Sequence, residues 1–267
     1  MGIFDGVLIA TDFDGTLFCN GEIKPENLES IRYFNENGGK FTICSGRNYQ
    51  FLRDFEPKLP INTYTISYNG AYIINTDSGN VLFEGFCDDR LFMIIDKIIE
   101  SELPYVNITV HIAEEASPIV YSMEEFSAMR DELLQKRIYK VVLRATDPEA
   151  AAAGSRTVSK FGFDDYISVR SWNISLELMP KAHAKGAAIK RIKGLLGAKL
   201  AVGVGDYEND IELLRDADIG YAVDNACEML LPYADRVAPN SDGCALAYVI
   251  RELEAELKND KNKKDIL

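Results

Sequence analysis

The sequence predicts an α/β protein whose parallel-sheet core is interrupted by an inserted α+β region. Three observations carry that expectation. In the first and last thirds, short apolar runs alternate with helical patterns, as in βαβ units that build a parallel sheet. Between them, roughly over residues 85–179, strands and helices follow in mixed order. And an apolar strand near the N-terminus stops abruptly at Asp12 and Asp14, the position at which open α/β sheets bind ligands.

Taken in order, residues 7–10 read as a buried strand. Residues 25–37 read as a helix, with Pro25 suited to its first turn and Gly38-Gly39 as the stop. A second strand (40–44), a short helix (49–55) and a third strand (64–67) continue the alternation. The insert opens with a helix at 88–100 and strands at 105–112 and 119–121. A helix at 123–136, a strong β run at 139–145 and an Ala-rich helix at 148–160 follow. Segments 166–171 and 175–178 pair as a hairpin about Asn173. Candidate hinges lie at 84–89 and 179–184, which assigns 1–84 and 180–267 to the core and 85–179 to the insert. The last third resumes with a helix (185–196), a strand (199–204), a helix (211–216) and a short strand (219–223). Helical segments at 227–233 and 244–257 complete it, and the charged run 258–267 is expected to fray.

Composition narrows the function. The chain has 267 residues, 47% hydrophobic and 27% charged, enough for a sizeable core. A net charge of −13 argues against a nucleic-acid partner, because phosphate backbones reward a basic surface. No apolar run is long enough to cross a membrane, and the start of the chain carries Asp5 and no basic leader. The five cysteines are scattered and include no C-x-x-C pair, so neither a disulfide framework nor a zinc site is expected. The chain reads as a soluble cytoplasmic protein.

Four segments carry chemistry: Asp12-Phe13-Asp14-Gly15-Thr16-Leu17; Cys44-Ser45-Gly46-Arg47; Lys185 at a helix start; and Gly205-Asp206 with Asn209 and Asp210. Each alone has an ordinary explanation, as a solvated turn, a helix cap or a surface lysine. The Asp12 loop is no EF-hand, since its glycine comes fourth and the twelfth residue is Ile23. The glycines at 203 and 205 make no dinucleotide fingerprint, because Glu208 sits where the third glycine belongs. Together the four lie at strand ends or helix starts, which a parallel sheet gathers on one edge. Carboxylates gathered without histidine favour a hard cation such as Mg²⁺, which would also admit a phosphate into an acidic site.

In this order the four segments resemble the haloacid dehalogenase-like superfamily of phosphohydrolases, and the insert is similar to the type-IIB cap of its Cof-like group. Tyr68-Asn69-Gly70-Ala71 and the stretch from Pro180-Lys181 to Lys185-Gly186 also match that group, over nearly the whole chain. One departure is Val223-Asp224-Asn225-Ala226 where the group has Met-Gly-Asn-Ala, which adds charge at the outer wall of the site.

The resemblance implies a Rossmann-like core and a Mg²⁺-dependent phosphatase of small phosphorylated metabolites such as sugar phosphates. It implies that Asp12 is the nucleophile, forming an aspartyl-phosphate, and that Asp14 is the general acid and base. Ser45 and Lys185 would hold phosphoryl oxygens. Mg²⁺ would be bound by Asp12, the Asp14 carbonyl and Asp206, with Asn209 and Asp210 orienting the ligands. Gly15 and Thr16 would turn N–H groups toward the phosphate, and Gly46, Arg47 and Asn69 would meet substrate. In the insert, His111, Arg170 and Trp172 are further candidates, each more often a surface or packing residue. A monomer or small homo-oligomer is expected, with neither nucleic acid nor membrane as partner. A phosphomutase and a non-catalytic phosphosugar-binding regulator remain alternatives.

Overall fold

The computed structural model describes residues 2–264. The chain begins β1 (Val7–Thr11), α1 (Pro25–Glu36), β2 (Lys40–Ile43), α2 (Tyr49–Arg53), β3 (Tyr64–Ser67), β4 (Tyr72–Asn75) and β5 (Val81–Glu84). The insert contributes α3 (Arg90–Glu100), β6 (Tyr105–Ile112), β7 (Ile119–Ser122), α4 (Met123–Ala128), α5 (Arg130–Leu133), β8 (Ile138–Ala145), α6 (Pro148–Lys160), β9 (Tyr166–Val169) and β10 (Ser175–Pro180). The chain then returns through α7 (Lys185–Leu196), β11 (Leu200–Gly205), α8 (Ile211–Asp216), β12 (Ile219–Val223), β13 (Arg236–Ala238) and α9 (Ala245–Lys264).

The core sheet runs β13-β12-β11-β1-β2 and is parallel throughout, as the βαβ pattern predicts. Strand periodicity sends Val7 and Ile9 of β1 into one apolar cluster, shared with Phe34, Leu246 and Val249 of α1 and α9. Leu8 and Ala10 enter another, with Ala188 and Ile192 of α7 and Leu213 of α8. Both faces of β1 are therefore covered, which is why its sequence is apolar without alternation.

The insert is a separate antiparallel sheet, β7-β6-β8-β10-β9. Val141 and Leu143 of β8 and Leu176 and Leu178 of β10 pack with Ile94, Ile98 and Val158 of α3 and α6. The opposite sheet face carries Lys140, Val142 and Glu177 and looks toward the core. Tyr68 of the core stacks on Tyr139 of the insert with ring centroids 4.4 Å apart, so the two parts meet through packed aromatics.

Several elements differ from expectation. The third strand meets the parallel sheet only through one parallel bridge, Ile66 to Cys44 just after β2, and its main pairing is antiparallel, β3 with β4 and β4 with β5. The sequence pattern gives no clear sign of β4, β5 and β13, because each is short and polar turns crowd them. The predicted helix at 123–136 breaks at Met129 (φ −88°, ψ 5°), so that Phe126 and Leu133 both reach the insert's core while Arg130 meets Asp96 at 2.7 Å. Segment 227–233 forms two successive tight turns instead of a regular helix, closed by the Leu230 N–H to the Cys227 carbonyl and the Tyr233 N–H to the Leu230 carbonyl, both at 3.0 Å, with a helical turn only at Leu231–Tyr233. Helix α9 runs on to Lys264, past the expected end at 257, aided by the Glu254–Lys258 pair at 2.7 Å one turn apart. The end of the predicted frayed tail, 265–267, lies outside the described residues.

Candidate active site

Sheet register assembles the site. Thr11 lies opposite Val204 on one side and Ile43 on the other, so Asp12, Asp206 and Ser45 emerge from three adjacent strand ends. The Asp12 N–H donates to the Val204 carbonyl at 2.8 Å, the Cys44 N–H to Thr11 at 2.8 Å, and the Ser45 N–H to Ile66 at 3.0 Å. These bonds fix the loops where the strands end.

At the centre, the buried Lys185 ammonium donates to Asp12 Oδ1 at 2.5 Å and to Asp210 Oδ1 at 2.6 Å. Lys185 begins α7, so its reach follows from helix placement. The other oxygen of Asp210 accepts the Asp206 and Tyr207 N–H groups at 3.0 and 3.3 Å, which leaves Asp210 wholly committed to protein donors. Asp206 Oδ1 accepts from the Thr16 hydroxyl at 3.0 Å. Gly15 has φ +81°, and a Cβ there would lie 2.3 Å from Asp206 Oδ2, so only glycine lets the Asp12 loop approach Asp206 this closely.

One ammonium is thus bonded to two acids, with a third, Asp206, beside them. Burial pushes Asp12 well above the usual carboxylate range despite Lys185. Burial and then Asp210 push Asp206 up to about 7. Burial opposes the charge on Lys185, but Asp12 and Asp210 more than offset it and hold its pKa above the ordinary value.

That excess of negative charge is the observation on which a metal is tested. Oxygens of Asp12, Asp206 and Asp210 lie within 4.8 Å of one another, with neither histidine nor cysteine among them. An all-oxygen, under-compensated cluster fits a hard divalent cation. Since Asp210 is occupied, Asp12 and Asp206 are the side chains that remain to hold it.

Asp14 is half-exposed and bound bidentately by Arg47, Nε and Nη2 each at 2.8 Å. The Ser45 hydroxyl oxygen accepts the Arg47 N–H at 3.1 Å, leaving its own O–H to donate. Tyr68 (φ +50°) and Asn69 (φ +59°) both take the left-handed conformation, which costs a tyrosine energy and is held by the Tyr68 N–H to the Arg47 carbonyl and the Asn69 N–H to Ser45. Asn69 Nδ2 then donates to Glu177 of the insert at 2.5 Å, and Asn209 Nδ2 donates to Asn69 Oδ1 at 3.4 Å.

A cavity of about 540 Å³ lies between core and insert, bounded by Asp12, Asp14, Ser45, Gly46, Arg47, Asp206 and Asn209 below and by His111, Lys140, Trp172 and Glu177 above. Of the sequence-derived residues, Gly15, Thr16, Asn69, Lys185 and Asp210 stand behind this surface and position others. The Gly15 N–H, expected to face a phosphate, is instead bonded to the Phe18 carbonyl at 2.9 Å. His111 and Trp172 do line the cavity, while Arg170 bridges to Glu208 of the core at 2.9 Å. Asn225 of the divergent segment donates to the Gly15 carbonyl at 3.2 Å.

Sequence reasoning missed Lys140 and Glu177. Each alternates with apolar neighbours, Tyr139 and Val141 or Leu176 and Leu178, the pattern of any strand with one wet face. What marks them is that both are buried.

The family model described as haloacid dehalogenase-like hydrolase matches residues 9–250. Phosphatase YwpJ of Bacillus subtilis (strain 168) is 26% identical over 286 positions, covering 92% of this chain and 99% of its own. A solved haloacid dehalogenase-like hydrolase from B. subtilis aligns with a TM-score of 0.76 at 23% identity, over 91% of this chain and 98% of its own. The HAD subclass IIB sugar phosphatase BT4131 aligns with a TM-score of 0.73 at 20% identity, over 92% and 98%. At such identities the structural likenesses speak to the fold alone.

Proposed function

The chain belongs to the haloacid dehalogenase-like hydrolases, and from that premise we propose a Mg²⁺-dependent phosphatase of small phosphomonoesters that works through an aspartyl-phosphate on Asp12. The observation that carries this reading is the Lys185 ammonium held between Asp12 and Asp210. It neutralises the nucleophile's charge toward an incoming dianion and fixes its direction.

An Asp12 carboxylate oxygen bonds to phosphorus as the ester P–O bond breaks, and the leaving oxygen takes a proton from Asp14. Asp14 then takes a proton from the water that attacks the acyl-phosphate, which frees Asp12 and inorganic phosphate. Ser45 donates to a phosphoryl oxygen, while Lys185, behind the cavity surface, acts through the Asp12 carboxylate it holds. To carry a proton Asp14 must first part from Arg47. An arriving phosphoryl dianion is the anion that draws Arg47 away, so substrate binding itself readies the acid. Asp12, Asp206 and the Asp14 main-chain carbonyl would hold Mg²⁺, which when bound supplies positive charge against the phosphoryl oxygens and the acidic cluster.

The cavity suits a small molecule and its roof excludes macromolecules. Sugar phosphates fit a lining that sets polar side chains beside the Phe51 and Trp172 rings, in keeping with the sugar phosphatase among the structural neighbours. The test is phosphate release from a panel of small phosphomonoesters, with Mg²⁺ or a chelator, for the wild type and Asp12→Asn. Release should need Mg²⁺ and fall by about 10⁴-fold or more in the variant. Unchanged release by Asp12→Asn overturns the covalent route, and transfer between substrate positions without free phosphate would point to a mutase.

A further inference from the structure

The roof of the cavity holds a second charged centre that the mechanism above leaves unused. Lys140 and Glu177 are buried, 2% and 3% exposed, and pair at 2.7 Å. They stand on adjacent strands, on the sheet face turned to the core. Glu177 is further fixed by Asn69 at 2.5 Å and by the Ser171 hydroxyl. His111, opposite Lys140 in register on β6, lines the same cavity, and its buried Nδ1 has no hydrogen-bond partner among the described residues. The polar groups of this wall are therefore set in place by protein contacts, and one of them is unsatisfied, which points to a ligand that completes it.

The wall is balanced in charge, one ammonium against one carboxylate, unlike the acidic cluster below it. A second anion on the substrate would have to take Lys140 from Glu177 and leave that carboxylate buried without its cation. A neutral hydroxyl pair asks for no such exchange: one hydroxyl accepts from Lys140 while its neighbour donates to Glu177. We propose that the Lys140–Glu177 pair is a specificity element that selects phosphomonoesters with an uncharged, hydroxylated far end and rejects those with a second anionic group. The inference rests on the phosphatase reading and names what that site discriminates.

The test compares kcat/KM for glucose 6-phosphate, 6-phosphogluconate and methyl phosphate, the last having no far end to be read. The wild type should prefer glucose 6-phosphate to 6-phosphogluconate by tenfold or more. Glu177→Gln, which frees Lys140 for a carboxylate, should lower that ratio by at least tenfold. Ratios are insensitive to a general loss of activity. Should this variant fail to fold, Lys140→Met/Glu177→Leu removes both charges together, and its preference for glucose 6-phosphate over methyl phosphate should drop by tenfold or more. A wild type that favours 6-phosphogluconate, or ratios that shift by less than threefold in the variants, overturns the proposal. If the wild type hydrolyses none of the three, the phosphatase reading falls instead. Calorimetric binding of the same compounds then decides the wall's selectivity by the same ratios.

Discussion

Lys185 in the core and Lys140 in the cap are both buried lysines at the edge of one cavity, and both are hydrogen-bonded to carboxylates at 2.5–2.7 Å. They differ in arithmetic. Lys185 is bonded to Asp12 and Asp210 with Asp206 close by, one ammonium against three carboxyl groups. Among the described residues, Lys140 pairs with the single carboxylate of Glu177. The core cluster is left under-compensated, and on the proposed reading a cation and a phosphoryl group complete it; the cap pair is balanced, and on the same reading it tolerates only a neutral neighbour. Burial works on both, yet it raises Asp12 and Asp206, whereas Glu177, which burial alone would also raise, is held below the usual range by Lys140 and Ser171. On the proposed reading, the same residue type in the same degree of burial serves chemistry or recognition according to how many acids surround it.

The sharpest way to break this comparison is to remove each lysine. Lys185→Met leaves three carboxylates without their cation, and the expected cost is about 3–5 kcal/mol of stability at pH 7, with activity lost as well. The double change Lys140→Met/Glu177→Leu removes a balanced pair and should cost less, about 1–3 kcal/mol, most of it from the buried Asn69 amide left without its acceptor. Urea denaturation of the metal-free proteins measures both. Equal losses would mean that the two lysines differ only in position.

A smaller effect separates the regions by their response to the ion. Millimolar Mg²⁺ should raise the melting temperature of the wild type by a few degrees, since a ligand at about 100 times its Kd contributes about 2.7 kcal/mol. Asp206→Asn should abolish the rise, and Glu177→Gln should keep it. A Mg²⁺ response that survives Asp206→Asn would place the ion elsewhere.

The contrast between core and cap also divides what the sequence made legible. The core site could be read because its residues stand at strand ends in local clusters, Asp12 with Asp14 and Asp206 with Asp210, where spacing along the chain equals proximity in space. The Lys185 contact spans 173 positions to Asp12, and only the family pattern singled it out. The cap pair joins residues 37 positions apart on strands whose alternation looks ordinary. Its significance lies in which sheet face meets the core, and no local pattern encodes that. The β3–β4–β5 hairpins escaped for a related reason: a strand after a helix suggests another parallel neighbour, and the polar turn from Asn75 to Asn80, which sends the chain back antiparallel, is a weaker signal than the alternation it interrupts.

The smallest predicted effect lies in the cap alone and tests whether its wall must stay neutral. Burial and then Lys140 push His111 down to about 3, against a modest opposing pull from Glu177. In the unfolded chain the imidazole takes its proton near the ordinary value of 6.5; in the folded protein it resists. The unfolded state therefore binds more protons below that pH, so His111 leaves stability intact above about pH 6.5 and removes it progressively as pH falls toward 3. Between pH 7 and pH 5 the expected loss is about 1–2 kcal/mol, and His111→Asn should lack it. Glu177 does not confuse this window, because its lowered pKa confines its own loss to more acidic solution. The decisive quantity is the difference in unfolding free energy between wild type and variant across those pH values. A difference that stays constant would mean that His111 can take up a proton beside Lys140 at no cost, and the charge balance assigned to the wall would not be what governs it.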